Sequence, residues 1–216
     1  MNVYLLPGLG ANSNLYKNIK LKNAELRLLN WQTPLGCQSL SDYAKLVIPA
    51  IDKNEPFIIG GSSMGGMVAA EVAKLTNPKG VIFLASSKTA FELPRRIIWL
   101  KNTIPSFLYS KKVFNYVQLV ADKVIGAKSS EGRTLFYQML EETPDDIIKF
   151  GIKAIANWDN KEIPINYLHI HGEKDILIPA KIIHNKQLLK GAGHFLTFER
   201  GKEISVLIDD FIAGLN

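Results

Sequence analysis

The sequence predicts an α/β fold, with a mostly parallel sheet of about six strands, helices on both faces and a block of helices inserted near the middle. Three observations carry this. The runs Val3–Leu6, Pro56–Gly60 and Gly80–Ala85 are apolar without alternation, as expected of parallel strands covered on both faces. Loops or helix-like segments separate them, which is the order of a crossover-connected sheet. The alternation lapses between residues 91 and 159 and resumes at Ile165–His171, so residues 1–90 and 160–216 read as one core and 91–159 as an insertion.

Taken in order, Val3–Leu6 is a buried strand that runs straight into Pro7-Gly8-Leu9-Gly10, a loop that keeps the backbone free to approach a ligand. Glu25–Leu29 is a second strand, ended by Pro34-Leu35-Gly36. Ser39 or Ser41 caps a helix whose apolar positions Tyr43, Ala44, Val47, Ile48 and Ile51 recur at helical spacing. Residues 56–60 form the next strand and Met67–Ala73 the next helix. Gly80–Ala85 is a strand followed by Ser86-Ser87. The insertion consists of amphipathic segments broken at Pro105 and Pro144. Beyond it come Ile165–His171, a weaker strand at Lys186–Leu189 and a closing helix near Lys202–Ile212.

Bulk composition narrows the function classes. The chain has 216 residues, 47% hydrophobic and 21% charged, which describes one ordinary globular domain plus an insertion. A single cysteine, Cys37, rules out an internal disulfide and reads as a small buried apolar residue. The N-terminus has no basic and apolar leader, and no apolar run approaches the roughly 20 residues that span a bilayer. A cytoplasmic protein is expected. The net charge of +6 is spread, with only Arg95-Arg96 and Lys111-Lys112 as pairs and no nucleic-acid motif, so a solvated basic surface is expected and no nucleic-acid partner.

The most informative stretch is Gly61-Ser62-Ser63-Met64-Gly65, because it joins a strand to a helix with almost no loop. So sharp a reversal forces its central residue to positive φ, lifts the Ser63 hydroxyl clear of the backbone, and leaves no room for side chains at Gly61 and Gly65. The Met64 N–H then lies at a helix N-terminus, without an intrahelical partner and aimed where negative charge develops on an attacked carbonyl.

An activated serine needs a base, and the base needs a carboxylate. Of four histidines, His194 in Gly191-Ala192-Gly193-His194-Phe195 lies in a glycine-rich loop after a strand, free to project over the sheet's end. His169 and His171 share one face of a strand and read as structural, without a third ligand to make them a metal pair, and His184 reads as a surface residue. Asp175, just beyond the strand ending in His171-Gly172, is the favoured acid, with Glu173 and Glu92 as alternatives. All sit beyond strand ends, where ligand chemistry gathers in open α/β sheets.

Ser63, Asp175 and His194, in that chain order, resemble the α/β-hydrolase superfamily, together with Gly61–Gly66, His171-Gly172-Glu173-Lys174-Asp175 with Pro179 behind, and Gly193-His194-Phe195. The resemblance covers nearly the whole chain. It implies that Ser63 is the nucleophile, His194 the base and Asp175 its orienting acid, that Leu9 in Pro7-Gly8-Leu9-Gly10 supplies a second oxyanion N–H beside Met64, and that the insertion is a helical cap over the site. It implies hydrolysis of a small, rather apolar ester or thioester, with no cofactor and no metal. Carbon–carbon bond hydrolases and lyases share these motifs, as does a receptor that keeps the fold. A dehalogenase would place aspartate at Ser63. The apolar cap residues Phe91, Ile97, Ile98, Trp99, Leu100, Ile104, Phe107, Leu108, Phe114, Tyr116 and Val117 serve a pocket or the cap's own packing, and Arg95–Trp99 is a basic, apolar segment that would suit contact with an anionic membrane.

Four departures from the family pattern stand out. Pro7 and Ser62 each occupy a place where histidine is common. Pro179–Lys190 is too short for the usual helix and strand between acid and base, so the helix should be missing or reduced to a turn. The two antiparallel leading strands of larger members have no counterpart before Val3.

Overall fold

The computed structural model describes residues 1–96 and 126–215. Six strands form one sheet: β1 (Asn2–Leu6), β2 (Glu25–Leu28), β3 (Phe57–Ser62), β4 (Gly80–Leu84), β5 (Tyr167–Gly172) and β6 (Gln187–Leu189). Their order is β2-β1-β3-β4-β5-β6, and every pairing is parallel.

Alternation along each strand divides the core in two. Val3, Leu5, Ile58, Ile82, Leu84 and Ile170 face one side, where Ile204, Ile208 and Ile212 of the closing helix α6 (Gly201–Ala213) cover them. Tyr4, Leu6, Ile59, Val81 and Phe83 face the other, covered by α1 (Leu40–Val47) and α2 (Met64–Leu75). With both faces dry, the strands have no polar face to alternate, and burial at roughly 25 cal/mol per Å² drives the layering. The edge strands are the exceptions: β6 exposes Gln187 and Leu188, and β2 has Glu25 and Arg27 exposed and paired to each other, a charged rim that discourages pairing with another chain.

Ser39 caps α1, its Oγ accepting the Asp42 N–H at 3.1 Å. Between β4 and β5 lie α3 (Ser130–Glu142) and α4 (Asp145–Ala156), separated at Pro144. Between β5 and β6 the chain makes only a single 3-10 turn, Ala180–Ile182, the shortening expected from the spacing. The short helix α5 (Leu196–Glu199) precedes α6. Cys37, expected to be buried, is half-exposed; it lies in the irregular loop ahead of α1 and packs against the edge of the core on that side. Phe91, expected to serve a pocket or the cap's packing, is 75% exposed. Pro105, the Lys111-Lys112 pair and the residues Ile97, Ile98, Trp99, Leu100, Ile104, Phe107, Leu108, Phe114, Tyr116 and Val117 lie outside the described residues. No helix among the described residues is long and apolar enough to cross a membrane.

Candidate active site

Parallel strands put their carboxyl ends on one edge, and the register aligns the ends: Leu6 opposite Gly61, Ser62 opposite Leu84, Leu84 opposite Ile170, and Gly172 opposite Leu189. The loops that follow β1, β3, β4, β5 and β6 therefore converge.

Ser63 is the single residue between β3 and α2, with φ 49° and ψ −119°. For a residue with a side chain this conformation costs on the order of 1–3 kcal/mol, and the surroundings hold it. The Ser63 N–H donates to the Leu84 carbonyl at 3.0 Å, while the Ser63 carbonyl accepts from Gly66 N–H at 3.0 Å and from Ser86 Oγ at 2.6 Å. Ala85, just past β4, also has positive φ, 46°, which turns the chain and brings Ser86 beneath Ser63. A Cβ on Gly61 would lie 2.5 Å from both the Leu6 oxygen and Gly65, and one on Gly65 would collide with the Leu6 and Pro7 carbonyls. The close approach of this turn to the β1 loop demands glycine at both.

That loop is tied down by two side chains that sequence reasoning passed over. Tyr16 Oη donates to the Leu6 carbonyl at 2.5 Å and accepts from Ser62 N–H at 3.0 Å, joining the β1 loop to the serine turn. Burial pushes the Tyr16 phenol above its ordinary value, so it stays a neutral donor. Trp31 Nε1 donates to the Gly8 carbonyl at 3.0 Å. Both act on backbone ten or more residues away, and neither the tyrosine of a 3-10 turn nor the tryptophan of a loop carries a sequence mark of that.

His194 Nδ1 lies 2.7 Å from Asp175 Oδ2. Asp175 is buried, and its other oxygen accepts the Ile178 N–H at 2.9 Å. Burial alone would raise the Asp175 carboxyl, but the neighbouring His194 and His171 outweigh it and hold the group well below the usual carboxylate range. The alternative acids are engaged elsewhere: Glu173 accepts the Gly191 N–H at 2.7 Å, pinning the loop that carries His194, and Glu92 pairs with Lys88 at 2.7 Å. His184 is exposed, as expected.

Ser63 and His194 line one cavity, about 240 Å³ in volume among the described residues, together with Leu9, Met67, Phe136, Ile152, Ile155 and Phe195. No hydrogen bond joins the Ser63 hydroxyl to His194 among the described residues; the two groups share the cavity wall. Gly151 of α4 packs against Leu9 and Met64, its missing Cβ leaving room for both side chains. Arg96 donates to the carbonyls of Ile176 and Leu177, so this half of the basic pair is held to the protein, while Ile97–Trp99 lie outside the described residues. An imidazole backed by a carboxylate and a hydroxyl on a strained turn at a helix N-terminus, around an apolar hollow, can together move a proton and stabilise an oxyanion.

A sequence model described as "Alpha/beta hydrolase family" matches residues 3–205. The chain belongs to that family. Among solved structures, this alpha/beta hydrolase superposes on MenH from S. aureus with a TM-score of 0.78 at 17% identity, covering 100% of this chain and 94% of that one. A hydrolase from Oleispira antarctica follows with a TM-score of 0.75 at 19% identity, covering 98% and 90%. An esterase from Exiguobacterium antarcticum gives 0.75 at 14% identity, covering 99% and 92%. At these identities the likeness carries the fold. No curated protein sequence matches this alpha/beta hydrolase.

Proposed function

We propose that this chain is a serine hydrolase that cleaves a small, rather apolar carboxylic ester or thioester through an acyl-enzyme on Ser63. The observation that carries the reading is the 2.7 Å contact between His194 and buried Asp175 on the same cavity as the strained Ser63. Ser63 Oγ attacks the acyl carbonyl while His194 Nε2 takes its proton. Asp175 holds the Nδ1 proton and stabilises the imidazolium. The N–H groups of Leu9 and Met64 receive the oxyanion, each such donor being worth about 10²–10³ in rate. The protonated His194 then hands its proton to the departing alcohol or thiol. Water, activated by the same histidine, releases the acid. No cofactor enters this scheme. Esterases among the structural neighbours support the substrate class.

Residues 91–159 serve in this reading as the cap over a core formed by 1–90 and 160–216. Support comes from Phe136 of α3 and from Ile152 and Ile155 of α4, which roof the cavity.

A graded series of p-nitrophenyl esters and acyl thioesters tests this. Each methylene that fits the hollow should add about 0.8 kcal/mol, or about fourfold in kcat/KM, and the gain should stop within medium chains because the hollow is small. Rates that rise without limit to hexadecanoyl chains, or no turnover of any member, would remove the assignment.

A further inference from the structure

A line of buried polar contacts runs from His194 away from the cavity. Asp175 Oδ2, 2.7 Å from His194 Nδ1, is also 3.3 Å from His171 Nε2. His171 Nε2 lies 2.8 Å from the Ile178 carbonyl, and His171 Nδ1 lies 3.4 Å from His169 Nε2. His169 Nδ1 is 3.0 Å from Lys88 Nζ. Lys88 Nζ also meets Glu92 Oε1 at 2.7 Å and the His184 carbonyl at 2.8 Å. Lys88, His169 and His171 are 1%, 2% and 0% exposed.

Donor counting fixes the proton positions. An ammonium has three N–H donors and accepts nothing, and Lys88 has three partners. His169 Nδ1 must therefore present its lone pair, which puts the ring proton on Nε2. The Ser86 carbonyl is a further partner of His169, and His171 Nδ1, with His169 Nε2 facing it at 3.4 Å, keeps its lone pair, which leaves the His171 proton on Nε2. The far end agrees independently, because the Ile178 carbonyl only accepts. A proton added to either ring would set two N–H groups against each other or one against the ammonium. Burial, then the Lys88 charge, push His169 down to about 2.

We propose that Lys88, His169 and His171 form a one-way line of hydrogen-bond donors that ends on the Ile178 carbonyl beside Asp175, which makes them positioning residues that set how strongly Asp175 holds the His194 imidazolium. Asp175 Oδ2 meets His194 at 2.7 Å and also has beside it, at 3.3 Å, the His171 N–H whose nearer acceptor is the Ile178 carbonyl, so His194 receives less of its negative charge than an isolated carboxylate would give. The charged and titratable groups facing the line are Lys88 and Glu92 from the segment after β4, Asp175 from the loop after β5, and Lys186 ahead of β6, which also disfavours charge on His169.

The kinetic part of this inference rests on His194 being the catalytic base; the proton positions do not. Side-chain ¹⁵N NMR of the intact protein near neutral pH, with assignments from His169→Asn and His171→Asn, should show the ring proton on Nε2 at both positions. A ring with its proton on Nδ1, or an imidazolium at either position, overturns the line. In Lys88→Met/Glu92→Gln, which leaves no buried charge unpaired, His169 should lose its single tautomer; an unchanged His169 spectrum in the folded variant overturns the role of Lys88. In His171→Phe the acid limb of kcat/KM for a p-nitrophenyl ester should move up by about half a pH unit or more, and His171→Gln, which restores an N–H donor, should bring it back. Lower turnover with the acid limb in place would mean a merely structural His171. Should the wild type turn over no ester, the hydrolase reading fails while the spectra still decide the proton positions.

Discussion

Replacing Ser63 with alanine is expected to lower kcat on the best ester by about 10⁶-fold, the scale seen when a serine nucleophile is removed, and to leave the melting temperature within a degree or two. The asymmetry follows from how the residue is held. Every contact that fixes the turn uses its backbone, through Leu84, Gly66 and Ser86, and the side chain makes no capping hydrogen bond to α2. Alanine also carries a Cβ, so the strain at φ 49° is unchanged. Steady-state kinetics, calorimetry and labelling by a serine-reactive phosphonate check this together. An Ser63→Ala protein that keeps its turnover and its label would end the acyl-enzyme scheme.

Asp175→Asn is the second large effect, expected at about 10⁴-fold in kcat. The asparagine oxygen would keep the Ile178 N–H now held at 2.9 Å, which turns the amide N–H₂ toward His194. His194 Nδ1 must then accept, its proton moves to Nε2, and the nitrogen that faces the cavity can no longer take a proton from serine. The same amide would meet the His171 N–H head-on, so a loss of stability should accompany the loss of rate. Kinetics and urea unfolding of the variant separate the two. A drop of only a few-fold in kcat would show that Asp175 does not orient the base.

Burial on both faces is what made β1, β3 and β4 readable from sequence, because each is an unbroken apolar run. Strand β6 was faint because it has three residues, two of them exposed at the sheet edge. The serine turn was legible because two glycines are required by backbone contacts of Leu6 and Pro7 with α2, a constraint that writes itself into residue type. Asp175 and His194 were picked by position after strand ends, and they stand in hydrogen-bond contact. Tyr16, Trp31, Ser86 and Lys88 were missed for a common reason. Each acts on a group brought near only by folding, and neither a buried lysine nor a loop tyrosine differs in sequence from an exposed one. Glu92 stands out in sequence as a carboxylate beyond β4, but its partner is Lys88, four residues back on the same segment.

The buried, uncharged ring of His169 also bears on the conditions under which this protein survives. Its ordinary value is 6.5, and in the native state it falls to about 2, first through burial and then through Lys88. The unfolded chain therefore binds a proton that the native chain refuses, and stability is full above about pH 6.5 and drains away as the medium is acidified toward pH 2. Asp175, also held below its ordinary value, deepens the loss at the lower end of that range. Urea midpoints measured across the interval should decline steadily from near neutrality, well before ordinary carboxylates begin to titrate. The expected acid lability originates in the interior, and a His169→Gln chain should lose less of its stability between neutral and mildly acidic buffer than the parent does.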